Sequence, residues 1–175
     1  MGRPSESELT SAFQEAKRLI WQEKDQQFLA KSLFALHDRW DELLKVLSAC
    51  DSYFKSGQST TSHRKLVSAM NSYRNLYTGQ NADYAVSVTN EELNTAIEHA
   101  ALLREQDKDP QFIAKTVLNL QELVKQLEAV QKATERYFHT GMSEREQQIL
   151  ETAIRKYRSV DKSAVSADIT SLGLL

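Results

Sequence analysis

The sequence predicts an all-α protein: an internal duplication of a three-helix unit (short-long-short), with the two copies packed about a pseudo-two-fold axis into one six-helix bundle. Three observations carry this expectation. Glycine and proline are scarce, five and two in 175 residues, whereas all-β folds need frequent turns. From Leu29 to Phe54 the apolar residues alternate steps of four and three, a sustained heptad seam. And the stretch from Glu8 to Leu76 aligns without a gap on Glu92 to Val160, 84 positions later, with 24 of 69 pairs identical. Self-similarity at a fixed offset is the mark of a repeated structural unit.

The first helix of each copy opens on a capping box, Ser5 with Glu8 and Thr89 with Glu92. In such a box the hydroxyl satisfies one free N–H and the carboxylate three residues on satisfies another. Apolar positions follow at helical spacing, Leu9, Phe13, Ala16 and Ile20, then Leu93, Ile97, Ala100 and Leu103. These helices should stop near Lys24 and Lys108. Asp25 and Asp109 then read as N-caps of a long second helix, from Gln26 to Ser56 and from Pro110 to Thr140, with Pro110 at the first helical position.

The seam of the first long helix runs Leu29, Leu33, Leu36, Trp40, Leu43, Leu47, Cys50 and Phe54. That register places Trp40 in the core and Tyr53 beside it. The second long helix runs Ile113, Val117, Leu120, Val124 and Leu127, then broadens onto Val130 and Tyr137. Gly57 and Gly141 end the two helices, because glycine tolerates the left-handed conformation of a C-cap. A third helix starts near Thr61 and near Ser143, where Ser143 and Glu146 spell another capping box.

A long helix covered by two shorter ones keeps part of its apolar surface bare. Packing the copies face to face, with the long helices antiparallel at the centre, removes that surface from water. The organisation expected is repeat 1 over 5–77, a linker over 78–88, repeat 2 over 89–160 and a C-terminal tail over 161–175. The copies share one core, or else form two lobes in a row. The apolar end "ITSLGLL" either lies on the bundle or is a free docking peptide.

Composition excludes several classes. Net charge is −2, with no global attraction for nucleic acid. Cys50 is the single cysteine, so no disulfide framework exists. No apolar run approaches the roughly 18 residues of a membrane span, and the N-terminus reads as polar, without a signal segment. The expectation is a cytoplasmic chain, either a monomer with a pseudo-dimeric core or a weak homodimer.

No constellation for catalysis, metal or cofactor stands out, so none is expected. None of His37, His63, His99 and His139 follows a glutamate by three residues, as di-iron bundles require. Cys50 falls on the seam, where a thiol is inert. Polar residues shared by both copies are the candidate protein-contact sites: Gln27 with Lys31, and Gln111 with Lys115, four apart on one helix face. The basic stretch Arg155, Lys156 and Arg158 is a candidate anion contact. The functional expectation is a non-catalytic interaction or scaffold protein that binds another protein through its helical faces. The alternative is a regulatory protein touching nucleic acid through the last helix.

Overall fold

Six helices make up the described part of the chain: α1 (Glu6–Trp21), α2 (Leu29–Lys55), α3 (Thr60–Tyr77), α4 (Asn90–Glu105), α5 (Ile113–His139) and α6 (Glu144–Ser171). The structure, a computed structural model, describes residues 4–77 and 88–171, with side chains through Val160. Among the described residues there is no strand, and no helix is long and apolar enough to cross a membrane. The expected linker over 78–88 falls almost wholly outside them, as do the side chains of the expected tail.

Both first-helix capping boxes form. The Ser5 and Thr89 hydroxyls accept from the N–H groups of Glu8 and Glu92, whose carboxylates accept in return from the cap N–H groups. The face these helices bury is made of alanine, Ala12 and Ala16 on α1, Ala96 and Ala100 on α4. Small side chains let helix backbones approach closely. Ile20, expected on the buried face, is exposed.

The long helices begin three residues later than the sequence suggested. Asp25 and Asp109 do cap them, but from a turn rather than from the N-cap position. The Phe28 N–H donates to the Asp25 carbonyl at 3.2 Å, and Phe112 does the same to Asp109 at 3.1 Å. Pro110 therefore occupies the second position of a β-turn, where its fixed φ is equally welcome. Phe28 and Phe112 take positive φ, 58° and 61°, which turns the chain so that each aspartate can reach the helix start. Asp25 accepts from the N–H groups of Ala30 and Lys31 at 3.0 and 2.9 Å, and Asp109 from those of Ala114 and Lys115 at 3.1 and 2.9 Å.

The C-terminal ends follow expectation. Gly57 and Gly141 have φ of 62° and 72°. The N–H of Gln58 reaches back to the Tyr53 carbonyl at 2.9 Å, as does Met142 to Tyr137, the six-to-one bond of a Schellman motif. A Cβ at either glycine would meet nothing within 4 Å. Gly57→Ala or Gly141→Ala should therefore cost about 1 kcal/mol from backbone conformation alone. Urea melts test this, and an unchanged midpoint would contradict it.

The buried stripe of α2 drifts. Leu29, Leu33, Leu36, Leu43, Leu47 and Cys50 are buried, as the heptad predicts, and Val46 and Tyr53 join them toward the C-terminal end. Trp40 and Phe54 are left half-buried, and Tyr53 is the core residue. A helix with 3.6 residues per turn slips about 20° per heptad against a strict 3.5 repeat, so a seam read as heptads goes astray near its end.

The chain forms two compact units, and each draws on both aligned segments. One takes residues 4–38 and 88–122 together with 161–171; the other takes 39–77 and 123–160. Within the second unit α2 and α5 run parallel. Arg39 meets Glu128, Cys50 meets Thr134 and Tyr53 meets Phe138, so contact partners advance along both helices together. This corrects the antiparallel expectation. Bare apolar area is indifferent to direction, whereas the aromatic ends can cluster only when like ends meet. Tyr53 packs edge-on to Phe138 with centroids 5.7 Å apart, and Phe54 packs tilted against Tyr137 at 5.9 Å.

The short-long-short pattern holds for α1 to α3 only. α6 has 28 residues and continues as helix through Ser171, across much of the stretch expected to be a separate tail. Its capping box is half-formed: the Ser143 hydroxyl accepts from the Glu146 N–H at 3.4 Å, while the Glu146 carboxylate turns to Arg136. Ser59 plays the same part for α3, accepting from the Ser62 N–H.

Candidate functional site

The four polar residues shared by the aligned segments lie in the first unit. Lys31 sits 3.4 Å from Glu92 and 5.7 Å from the centre of the Phe28 ring. Lys115 bonds both carboxylate oxygens of Glu8, at 2.7 and 2.8 Å, and lies 5.7 Å from the Phe112 ring centre. Gln111 accepts from the Ser11 hydroxyl at 2.8 Å, and Gln27 is exposed. The expected shared helix face is absent, because Gln27 and Gln111 belong to the turns before α2 and α5. The lysines instead join α2 to α4 and α5 to α1. The carboxylate of each capping box thus does two tasks, holding a helix start and a lysine from the other aligned segment.

Burial pushes the Glu8 carboxyl up, but Lys115 and the Ser5 backbone outweigh it and leave the group below its ordinary value. A depressed carboxyl stabilises the fold above its unfolded value and loses that contribution as pH falls through the folded one. Lys115→Met should therefore cost about 1–2 kcal/mol at pH 7, the range between exposed and buried pairs. The deficit should shrink below about pH 4.5. A deficit constant from pH 7 down to pH 3 in denaturant titrations would show that Lys115 acts by packing instead.

The basic stretch of α6 is on the surface. Arg158 pairs with Asp51 at 2.6 Å, and Arg155 reaches the Thr152 hydroxyl at 3.5 Å. Lys156 is exposed. One of the three cations is thus engaged with a carboxylate of α2.

A groove in the second unit, of about 350 Å³, was not legible in the sequence. It lies between α3 and the C-terminal end of α5. Its apolar floor is Val67, Met70, Phe138 and Met142. Val67 and Met142 are 37% and 47% exposed, so this floor is open to solvent. His63, Asn71, Arg74, Glu135 and His139 form the rim. Arg74 and Glu135 pair at 2.6 Å. The His63 ring stands edge-on to Phe138 with centroids 4.9 Å apart, and the Tyr53 hydroxyl donates to the Met142 sulfur at 3.3 Å. These contacts order the floor from below. A shallower trough of the same helix, running along Arg64, Ser68 and Asn75, adjoins it.

Sequence reasoning passed over Val67 because it falls off the apolar face Leu66, Met70, Tyr73. A valine on an otherwise polar helix face was the available signal. His63 and His139 are far apart in sequence, and only tertiary packing brings them to one rim. Cys50 is 0% exposed and bonded to Thr134 at 3.3 Å, and burial pushes its thiol up to about 11. Such a thiol is a poor nucleophile at neutral pH. What the groove offers is an apolar floor with polar edges, which is the chemistry of binding.

Among the described residues the chain is all-helical, and its second unit carries an open amphipathic groove. No protein-family model matches the chain, and comparison with curated proteins and with solved structures likewise returns no match.

Proposed function

We propose that this chain is a non-catalytic interaction protein that binds another protein through the α3–α5 groove. The observation that carries the reading is the exposure of Val67 and Met142 on one continuous floor. Open apolar surface rimmed by polar groups is what a partner's side chains cover.

The same reading takes the scaffold as a duplicated three-helix unit with a pseudo-two-fold relation inside each compact unit. Reciprocal contacts support it. Lys31 meets Glu92 as Lys115 meets Glu8. Arg74 meets Glu135 as Arg158 meets Asp51. Cys50 meets Thr134, its own counterpart 84 residues on. Contacts that exchange roles in this way characterise an isologous interface, here folded into one chain. That both compact units draw on both segments supports a shared core and a monomer. The reading also keeps the chain in the cytoplasm, where a lone thiol stays reduced.

Affinity capture from host extract tests the proposal, using wild type and Val67→Glu side by side. A protein recovered only by wild type, then shown by calorimetry to bind the purified chain directly, is the expected result. Equal recovery by both forms would sink the groove as the binding site.

A further inference from the structure

We propose that the solvent face shared by α5 and α6 binds the phosphate backbone of a nucleic-acid duplex without reading its sequence. This goes beyond the binding role proposed above and rests on residues outside the α3–α5 groove, so either can fail alone. The face carries five exposed cations: Lys125, Lys132 and Arg136 on α5, Arg145 and Lys156 on α6. Positions 125, 132 and 136 are seven and four apart and form one stripe along α5. Arg136 meets Glu146 of α6 at 3.5 Å, so this stripe borders α6. Arg145, Ile149 and Lys156, four and seven apart, form the neighbouring stripe of α6 beside Glu146.

The carboxylates nearby are turned elsewhere. Glu144 and Glu151 are spaced by sevens with Arg158, which meets Asp51 at 2.6 Å, so they lie on the α2 edge of α6. Glu128 and Glu135 pair with Arg39 and Arg74 on the α3 edge of α5. Glu146 is 7% exposed and turned to Arg136. Glu122 stands one turn before Lys125 and bounds the stripe there. No carboxylate among the described residues pairs with Lys125, Lys132, Arg145 or Lys156. The aligned segment shows that the scaffold does not need these charges. In place of the five cations it holds Asp41, Ser48, Ser52, Thr61 and Ser72, 84 residues earlier.

The surroundings of the cations select the partner. Ile149, 37% exposed, is the one large apolar side chain on the two stripes, and neither carries an aromatic ring. A helix that lies on a membrane inserts apolar side chains, and a protein partner covers apolar anchors. Single strands stack their bases on aromatic rings. A duplex backbone asks for cations alone. Packed helix axes lie about 8–10 Å apart, which sets the distance between the two rows of cations. Arg145 and Lys156 are separated by about 16 Å of helix, enough to meet several phosphates. Of the basic run Arg155, Lys156 and Arg158, only Lys156 belongs to this face, since Arg158 meets Asp51 and Arg155 precedes it by one turn on the same edge.

Fluorescence anisotropy of the full chain with a labelled DNA duplex of about 20 base pairs tests the proposal between about 50 and 200 mM salt. Polyglutamate of about the same length and vesicles with about one-third anionic lipid run beside it as competitors. Four uncommitted cations give an expected log–log salt slope of about −3 to −4. Lys132→Ser with Lys156→Ser places at both sites the residue that the scaffold carries at the corresponding position, so helicity should be unchanged. This double variant should bind at least tenfold more weakly and lower the slope by about 2. Arg64→Gln with Lys65→Gln makes the same change in net charge on α3 and should leave affinity within about twofold, as should Val67→Glu in the groove. An equal loss in the α3 variant would show attraction to overall charge and sink the assigned face. Duplex binding weaker than about 10⁻⁴ M at the lowest salt would overturn the proposal. Competition by polyglutamate or by vesicles at lower concentration than by unlabelled duplex would also overturn it and replace the partner class.

Discussion

Tyr137→Ala should destabilise the protein by about 3–5 kcal/mol, the usual penalty for removing a large buried aromatic ring. Tyr137 is 1% exposed. Its ring packs 5.9 Å from Phe54 and 5.5 Å from Phe138, and its hydroxyl accepts from the Gln58 side chain at 3.3 Å. Truncation would leave a cavity where the parallel ends of α2 and α5 meet, beside the Phe54 and Phe138 rings, which cannot collapse into it without leaving their rotamers. Tyr137→Phe keeps the ring and forfeits one hydrogen bond, so it should cost only about 0.5–1.5 kcal/mol. Urea melts of the two variants separate packing from the hydroxyl. A loss under about 1 kcal/mol for the alanine variant would mean that the aromatic cluster does not hold the helix ends together.

Glu128→Leu should cost about 2 kcal/mol, while the double change Arg39→Leu with Glu128→Leu should return to within about 1 kcal/mol of wild type. Arg39 bonds Glu128 at 2.5 Å and donates to the Tyr73 hydroxyl at 3.0 Å, and that hydroxyl donates to Glu128 at 3.3 Å. The guanidinium also lies over the Tyr77 ring at 5.3 Å. Removing one partner strands a charge that is largely out of water, at a cost between the roughly 0–1 kcal/mol of an exposed pair and the 3–5 of a buried one. Removing both replaces the pair by hydrocarbon. The scaffold already contains that solution, for Leu123 and Leu44 occupy the corresponding positions 84 residues away. A double variant as unstable as the sum of the singles would refute the argument and show that the network is needed for packing around Tyr73.

The candidate site was legible only in pieces. His63, His139 and Met142 are far apart along the chain, and nothing in their local sequence marks them as neighbours. Gln27 and Lys31 share one helix face only if both are helical, and α2 begins at Leu29. Phe28 at positive φ removes Gln27 from that helix, and a left-handed phenylalanine leaves no signature that propensity reasoning reads. Lys31 and Lys115 read as contact residues because the two aligned segments share them. That each lysine meets the glutamate of the other segment became visible only once both segments were folded.

What the sequence by itself determined is everything written in local chemistry: six helices, the capping boxes at Ser5 and Thr89, the aspartates that cap α2 and α5, and the glycines that end them. These are interactions between residues three to six apart, so a short window contains both partners. Periodicity also marked most of the inward face of the long helices, though not that of α1 and α4, which bury Ala12 and Ala96. It could not say what that face meets, in which direction, or where a strict heptad loses step with a 3.6-residue turn. The parallel pairing of α2 and α5, the choice of Tyr53 over Phe54 as the buried ring, and the groove at Val67 were decided by the tertiary structure alone. Apolar burial is non-directional, and direction comes only from the shapes and charges that happen to face each other across the core.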